Sequence, residues 1–221
     1  MKKFLSIIIA LTICFSLIGS ASALDNSANQ APGTSGSTTY INDPEALDQY
    51  VLDNGIEIPE GKTIKSVKIT VLNDPALLKK ASDIPFQTQS PLSAAALTLS
   101  NRVYAGNFYY NDQPFLSDSI EGPMATGPNL KFEHKTTAGF SGELGVEASV
   151  ITASFGVNFS EEITVTRTYQ FDPIPAGDWL IYSAYVNYAV YRFDVYSGST
   201  YLGTSSYWTP VGIVITQEII G

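Results

Sequence analysis

The alternation of apolar and polar residues is strongest in the C-terminal half of the chain. From Trp179 to Tyr196 both faces of the pattern are apolar or aromatic, which is typical of a strand covered on both sides. Residues 197–199 are a Ser-Gly-Ser turn signal, and strand-like stretches follow at 200–208 and 213–219. We expect the Thr-Pro-Val-Gly run at 209–212 to break these two stretches apart. The pattern predicts long antiparallel strands at the centre of the fold.

A second β-like stretch precedes this one and changes phase part-way along. From Phe140 to Val150 the apolar and small residues occupy even positions, and from Ile151 to Phe159 they occupy odd positions. Because side chains alternate strictly along a strand, the change predicts a bulge or a turn near Val150-Ile151, between two β arms. Residues 163–171 largely continue the odd series, with Thr on the other face.

The N-terminal part mixes helix and strand signals. Asp43 and the proline after it predict a helix start, and Gly55 predicts its end. A strand is expected at 63–72 and a short helix at 76–81. We therefore interpret residues 41–83 as a small α+β element that docks on the main sheet, a separate subdomain being the alternative.

The middle of the chain is rich in breaks. Two prolines make 84–92 a predicted loop, and two strands are expected at 94–100 and 102–110, on either side of Asn101. Residues 111–129 carry several prolines and glycines, so a long irregular connection is predicted there.

The first 23 residues have the pattern of a secretory signal. Two lysines precede the apolar run 4–18, and Ala21 and Ala23 fit a cleavage site. The run is shorter than the ~20 residues that span a bilayer. The chain is therefore expected to be secreted. Residues 24–40 contain almost nothing that could pack, which predicts a disordered leader or a pro-segment.

Composition narrows the class of protein further. Cys14 is the only cysteine, so a chain without the signal has no disulfide and no thiol nucleophile. The formal net charge of −9 speaks against a nucleic-acid partner, since phosphate binding needs clustered Lys and Arg. Residues 84–221 are expected to form a β-sandwich domain. The predicted fold is a mainly β, antiparallel sandwich with a short α+β N-terminal element.

The usual catalytic patterns are missing from the sequence. His134 is the only histidine, which leaves no histidine metal cluster, and no G-x-S-x-G elbow accompanies it. Glu161 and Glu162 are adjacent, so in a strand they would point to opposite faces. The acids of 111–129 lack calcium-loop spacing, and no phosphate or dinucleotide motif occurs. We therefore predict no enzyme activity, no cofactor and no metal; a hydrolase using scattered carboxylates is the remaining enzymatic alternative.

Tyrosine is concentrated where the strands are longest. Eight of the 13 tyrosines lie between Tyr169 and Tyr207. One interpretation is an aromatic surface for an extracellular ligand, namely a glycan, a protein or a membrane surface. The other is a sandwich core with tyrosines at its rim. The candidate surface residues are Tyr182, Tyr185, Tyr188, Tyr191, Tyr207 and Trp208.

Two resemblances follow from these patterns. Long Ser/Thr-rich strands around the amphipathic stretch 140–159 resemble aerolysin-type β-pore-forming proteins, which implies that this stretch opens into a transmembrane hairpin with ~10 residues per arm. Residues 131–219 are also similar to secreted β-rich proteins of Gram-positive bacteria without assigned function. That similarity rests on a Pro-Ala-Gly break at 175–177, an aromatic AY…Y…Y.FDVY strand and a Pro-Val-Gly run at 210–212.

Two functions are therefore expected. The first is a secreted, non-enzymatic protein that acts by binding outside the cell. The alternative is membrane insertion through a hairpin within 140–159.

Overall fold

The computed structural model describes residues 36–83 and 97–221. Its strands are β1 (Thr38–Ile41), β2 (Ile64–Asn73), β3 (Leu97–Phe108), β4 (Leu116–Glu121), β5 (Asn129–Thr136), β6 (Gly139–Phe140), β7 (Ile163–Gln170), β8 (Trp179–Ser197) and β9 (Thr200–Ile220). Its helices are α1 (Pro44–Asn54), α2 (Pro75–Ser82) and α3 (Ala148–Phe155), and a 3-10 turn lies at Glu143–Gly145. The strands pair antiparallel throughout, so the mainly β prediction is confirmed.

The hairpin of β8 and β9 is the centre of the molecule. The two strands have 19 and 21 residues and pair from Trp179 opposite Ile220 to Ser197 opposite Thr200. The prediction of a long, two-sided strand at 179–196 is therefore confirmed. The predicted break at 209–212 is wrong, because β9 continues through it. Val211 is instead an extra residue in the ladder, a bulge that bends the strand without ending it.

The other strands extend this hairpin into the main sheet, whose order is β1-β2-β9-β8-β3. On the outer side of β8, β4 pairs with one half and β3 with the other. On the outer side of β9, β2 pairs with one half and the short β6 with the other. The sheet thus has two halves that share only β8 and β9.

The N-terminal helices begin where the sequence predicts them. The side chain of Asp43 accepts a hydrogen bond from the backbone N–H of Ala46 (3.1 Å), and Gly55 ends α1 in the left-handed conformation. Asp74 caps α2 in the same way. Residues 41–83 are built into the main sheet, because β2 pairs with β9 along its whole length.

Two predicted irregular stretches contain strands. Thr38 to Tyr40, assigned to the leader, belong to β1, whose partner is β2. The connection at 111–129 contains β4, which is paired along its length with β8. The two strands expected around Asn101 are one strand, β3, with a register shift between Ser100 and Val103. The expected loop at 84–92, the expected signal at 1–23 and residues 24–35 lie outside the described residues.

Two apolar cores lie on opposite faces of the main sheet. Leu180, Tyr182 and Ala184 of β8 belong to one core, and Tyr191 and Phe193 belong to the other. Since neighbours along a strand point to opposite faces, these even and odd positions face opposite ways. The antiparallel pair β5–β7 packs over the first face through Phe132 and Val165. This layer of sheet on sheet gives the sandwich-like part of the fold.

The second face is covered by the residues that connect β5 to β7. We call residues 137–162 the crossing segment, because it leaves the layer of β5, pairs with the edge of β9 through β6 and covers the opposite face with α3. The prediction of two β arms at 140–159 is therefore wrong for this structure. The buried residues of the segment are held by tertiary contacts, which overrode its strand-like alternation.

Candidate functional site

The six residues predicted as an aromatic surface do not form one. Tyr182, Tyr185, Tyr191 and Tyr207 are buried, so the surface interpretation is wrong for these four. Tyr207 stacks on Tyr191 with ring centroids 5.2 Å apart. The two remaining residues, Tyr188 and Trp208, are half-buried.

Tyr188 and Trp208 belong to a smaller aromatic cluster, formed with Phe108 and Tyr110. Phe108 stacks on Tyr188 (5.5 Å between centroids) and meets Trp208 edge-on at 6.0 Å. Tyr110 contacts Phe108 at 5.0 Å and is 39% exposed. The sequence interpretation missed Phe108 and Tyr110, although the run Asn-Phe-Tyr-Tyr-Asn at 107–111 is a visible aromatic signal.

This aromatic cluster touches the start of the crossing segment. The hydroxyls of Tyr188 and Thr136 are 3.1 Å apart and share a hydrogen bond. Gly139 lies opposite Trp208 in the β6–β9 pair, and a side chain at Gly139 would collide with the indole ring. The cluster and the point at which the chain leaves β5 are therefore in direct contact.

The crossing segment begins and ends at one point. Thr136, the last residue of β5, is directly opposite Ile163, the first residue of β7. The segment is thus a loop inserted at the end of an antiparallel pair. Nothing in the β5–β7 pairing has to change if the loop takes another conformation.

In this structure, which we call the compact form, the crossing segment is tightly packed on the main sheet. Ile151 and Phe155 of α3 are fully buried, and Val146 and Val157 nearly so. The ring of Phe155 lies 5.3 Å from that of Phe193 and stacks at 5.7 Å on that of Tyr207. Burying four such side chains contributes roughly 6–12 kcal/mol at ~1.5–3 kcal/mol each. This packing stabilises the crossing segment against the main sheet.

The local sequence of the segment favours its helix only at the C-terminal end, where Gly156 is left-handed and its N–H donates to the carbonyl of Thr152 (2.7 Å). Val150, Ile151 and Thr152 are consecutive β-branched residues, which lose side-chain freedom in a helix. Glu147 stands at the N-cap position but makes no side-chain hydrogen bond there. Leu144 has φ of 60°, a left-handed conformation that costs a non-glycine residue ~1–2 kcal/mol. Apart from the Gly156 C-cap, the segment is held by its tertiary contacts and not by its local sequence.

Two ion pairs and a small cavity lie at the second end of the segment. Glu161 pairs with Lys80 of α2 (2.6 Å), and Glu162 pairs with Lys135 of β5 (2.7 Å). Both pairs are exposed to solvent, so they contribute little to stability. The cavity between α2 and residues 156–163 has a volume of about 70 Å³, well below the roughly 300–1,000 Å³ of small-molecule sites.

Two buried ionisable groups of the main sheet, Tyr207 and Glu218, each have a hydrogen-bond partner. Arg102 donates a hydrogen bond to the hydroxyl of Tyr207 (3.2 Å) and lies over the ring of Tyr191. Burial raises the pKa of Tyr207 to about 12, against the lowering effect of Arg102. Glu218 is buried and accepts a hydrogen bond from Tyr50 of α1 (2.9 Å), and burial raises the pKa of its carboxyl.

The residues considered for catalysis are not brought together. His134 stacks on Phe115 with ring centroids 4.6 Å apart. Glu161 and Glu162 are each paired with a different lysine. Within residues 36–83 and 97–221, no three His, Cys, Asp or Glu side chains are grouped so that they could hold a metal ion.

Comparison with known proteins adds no family. No protein-family model matches the chain, and no curated protein is significantly similar to it. In the part of the chain that the structure describes, no helix is both long and apolar enough to cross a membrane.

Proposed function

We propose that this protein is a secreted, non-enzymatic, membrane-inserting protein whose crossing segment opens into a membrane-spanning β-hairpin. The observation that carries the proposal is the register of β5 and β7. Lys135 is opposite Thr164 and Thr136 is opposite Ile163. The same register, continued into the crossing segment, pairs its two halves without any slip.

The continued register collects the apolar residues of both arms on one face, since opposite residues in an antiparallel pair point the same way. Phe140 then lies opposite Phe159, and Ala148 lies opposite Ile151. The intermediate pairs on this face are Gly142 with Val157, Leu144 with Phe155, and Val146 with Ala153. Serine, threonine, asparagine, glycine and glutamate fill most of the other face. This one-sided pattern is that of strands with lipid on one side and water on the other.

The turn of this hairpin coincides with the phase change in the sequence. The register places the turn at Ser149-Val150, and the alternation changes from even to odd at Val150-Ile151. The arms, 139–148 and 151–160, match the ~9–11 residues that cross a bilayer as a tilted strand. The pairing of β5 with β7 and the apolar pattern are separate observations, and they predict the same hairpin.

The compact form keeps the segment packed on the main sheet and still allows it to open. Roughly 6–12 kcal/mol of apolar burial keeps it closed. The β-branched run at 150–152 disfavours the helix, and the left-handed Leu144 disfavours the turn before it. In lipid, the apolar face of the hairpin regains burial. A lone hairpin would leave backbone groups unpaired in hydrocarbon, so several copies have to pair edge to edge.

The aromatic cluster fits the role of a membrane anchor. Phe108, Tyr110, Tyr188 and Trp208 lie at the base of the proposed hairpin, where the chain would enter the bilayer. Tyr and Trp favour the headgroup region because they have an apolar body and a polar tip. We propose this cluster, in place of the six-residue surface, as the extracellular binding surface. The acidic net charge of −9 favours zwitterionic over anionic lipid.

A reversible disulfide tests the opening directly. The backbone N–H of Ser141 in the segment donates to the carbonyl of Ser206 in β9 (2.9 Å), so S141C/S206C places two thiols across a strand pair, at a separation that suits a disulfide. Cys14 is replaced by Ser in this background. We expect the oxidised variant to release at least tenfold less dye from phosphatidylcholine–cholesterol vesicles, and reduction to restore release.

The matched control is a second disulfide that leaves the segment free. Ser117 and Ser183 are opposite each other in β4 and β8, with hydroxyls 3.0 Å apart. S117C/S183C should leak equally in both redox states. Equal leakage from oxidised and reduced S141C/S206C would contradict opening of the segment, and absence of leakage and of SDS-resistant oligomers from the unmodified protein would contradict insertion itself.

Truncation of the aromatic cluster tests the anchor. Trp208→Ala and Tyr188→Ala should lower binding to the same vesicles about tenfold, because each removes an interfacial aromatic side chain. Tyr201→Ala is the control, since Tyr201 is 54% exposed and lies outside the cluster. Unchanged binding by both cluster variants, in a flotation assay, would remove the cluster from the proposal.

A further inference from the structure

The side of the proposed hairpin that faces water carries only one sign of charge. Continued from β5 and β7, the register puts ten residues of the two arms on that side. They are Gly139, Ser141, Glu143, Gly145, Glu147, Thr152, Ser154, Gly156, Asn158 and Ser160. Glu143 and Glu147 are its charged members, and residues 139–160 contain no lysine or arginine.

The positive charges nearest to this side lie outside the bilayer and are already paired. Lys135 precedes the base of the hairpin and forms an ion pair with Glu162 (2.7 Å). Lys131, further along β5, forms one with Glu133 (2.7 Å). Neither lysine leaves a net positive charge at the mouth that would offset the two glutamates inside.

We propose that the pore formed by this protein selects cations over anions, and that Glu143 and Glu147 set the selectivity. This inference rests on the proposed membrane insertion. In an assembly of identical hairpins, each glutamate is repeated once per copy, which produces two rings of carboxylates around the water-filled path. Rings of Asp or Glu attract cations and repel anions in channels.

The two rings differ in depth, so their contributions differ. Glu143 is near the middle of the arm 139–148 and lies opposite Gly156, which has no side chain to shield it. Glu147 is next to the turn, at the far mouth, and lies opposite Thr152. Charge at a mouth is screened by bulk salt over ~8–10 Å at physiological ionic strength. Glu143 therefore makes the larger contribution.

The fold tolerates removal of both charges in the compact form. Glu143 and Glu147 are exposed, neither forms an ion pair with the lysines and arginines of the described residues, and Glu147 makes no capping hydrogen bond to the backbone. Glu143→Gln and Glu147→Gln should therefore leave the free protein folded, which circular dichroism and thermal melts can check. A change in ion selectivity can then be assigned to the pore and not to misfolding of the free protein.

The experiment is a reversal-potential measurement in phosphatidylcholine–cholesterol bilayers, with KCl at about tenfold different concentrations on the two sides. We expect the unmodified protein to pass K⁺ at least about threefold better than Cl⁻, as a ring of carboxylates does. Glu143→Gln should lower this ratio more than Glu147→Gln, and the double variant should bring it close to one. Glu143→Lys should invert the preference, and Glu57→Gln, which removes an exposed acid outside the segment, should not change it.

The outcomes separate this inference from the function on which it rests. Conductance without cation preference, or a preference that survives in the double variant, would overturn the selectivity and leave insertion standing. Absence of any conductance, together with absence of dye release, would overturn both.

Discussion

Helix α1 has 11 residues and α3 has 8, and different interactions stabilise them. The Asp43 cap, the proline after it and the left-handed Gly55 fix both ends of α1 within the local sequence. The N-terminus of α3 has no side-chain cap, and three consecutive β-branched residues lie inside it. Phe155 and Ile151 are nevertheless fully buried. The local sequence specifies both ends of α1, whereas in α3 it specifies only the C-terminal end, through Gly156, and packing on the main sheet stabilises the rest.

The largest expected effect comes from removing the ring of Phe155, through which α3 contacts the main sheet. Phe155→Ala leaves a cavity against Phe193 and Tyr207, which typically costs about 3–5 kcal/mol. Because the Gly156 C-cap is the only capping signal of this helix, we expect the cost to appear as local opening. Hydrogen exchange should show lost protection across residues 137–162 while β8 and β9 stay protected.

Ser149→Ala is the matched control for Phe155→Ala. Ser149 is exposed, and its hydroxyl reaches only the side chain of Glu147 (3.3 Å), so its removal should change stability by less than about 0.5 kcal/mol. If the crossing segment stays protected from hydrogen exchange in Phe155→Ala, the local sequence is sufficient to form α3. That result would contradict the difference between α1 and α3 described above.

The same difference explains what could be predicted from the sequence. The start and end of α1, the strand expected at 63–72 (β2) and the long strand β8 were predicted because caps, turns and alternation act within a few residues. The conformation of 140–159 was not, because its partners Phe193 and Tyr207 are about 40–60 residues away. Its alternation is unused in the compact form and matches the hairpin that we propose.

The candidate site was predicted only in part, for a related reason. Tyr182, Tyr185, Tyr188 and Tyr191 are spaced by three, so they alternate between the two faces of β8. Which of them are exposed depends on what covers each face, and that is set by β5, β7, the crossing segment and, at Tyr185, the ring of Tyr109 (5.2 Å). Tyr188 escapes full burial because it lies beyond the layer of β5 and β7, next to Phe108 and Trp208.

A smaller test compares the two N-caps. Asp43→Ala removes the acceptor for the backbone N–H of Ala46 (3.1 Å) and should cost about 1 kcal/mol in urea unfolding. Glu147→Ala removes no capping bond and should stay within about 0.5 kcal/mol of the unmodified protein. A loss of 1 kcal/mol or more for Glu147→Ala would show that the start of α3 is locally capped after all.

The smallest expected effect concerns the hydrogen bond that joins α1 to the main sheet. The hydroxyl of Tyr50 donates to the buried carboxylate of Glu218 (2.9 Å), and burial raises the pKa of Glu218. A raised pKa means that the folded protein keeps this proton at a pH where the unfolded chain has released it. The stability that this group contributes is therefore present below the ordinary pKa of about 4.3 and is lost as the pH rises from there through the folded pKa.

Glu218→Gln should therefore melt at a higher temperature than the unmodified protein at pH 7, with a difference that closes as the pH falls toward 4. Glutamine keeps an oxygen that can accept from Tyr50 and has no charge to bury. Glu57→Gln, at an exposed acid, should show no such convergence. An equal or lower melting temperature for Glu218→Gln at pH 7 would mean that the charge of the carboxylate strengthens its hydrogen bond to Tyr50 by more than its burial costs. The charge of Glu218, and not only the caps of α1, would then stabilise the position of this helix on the sheet.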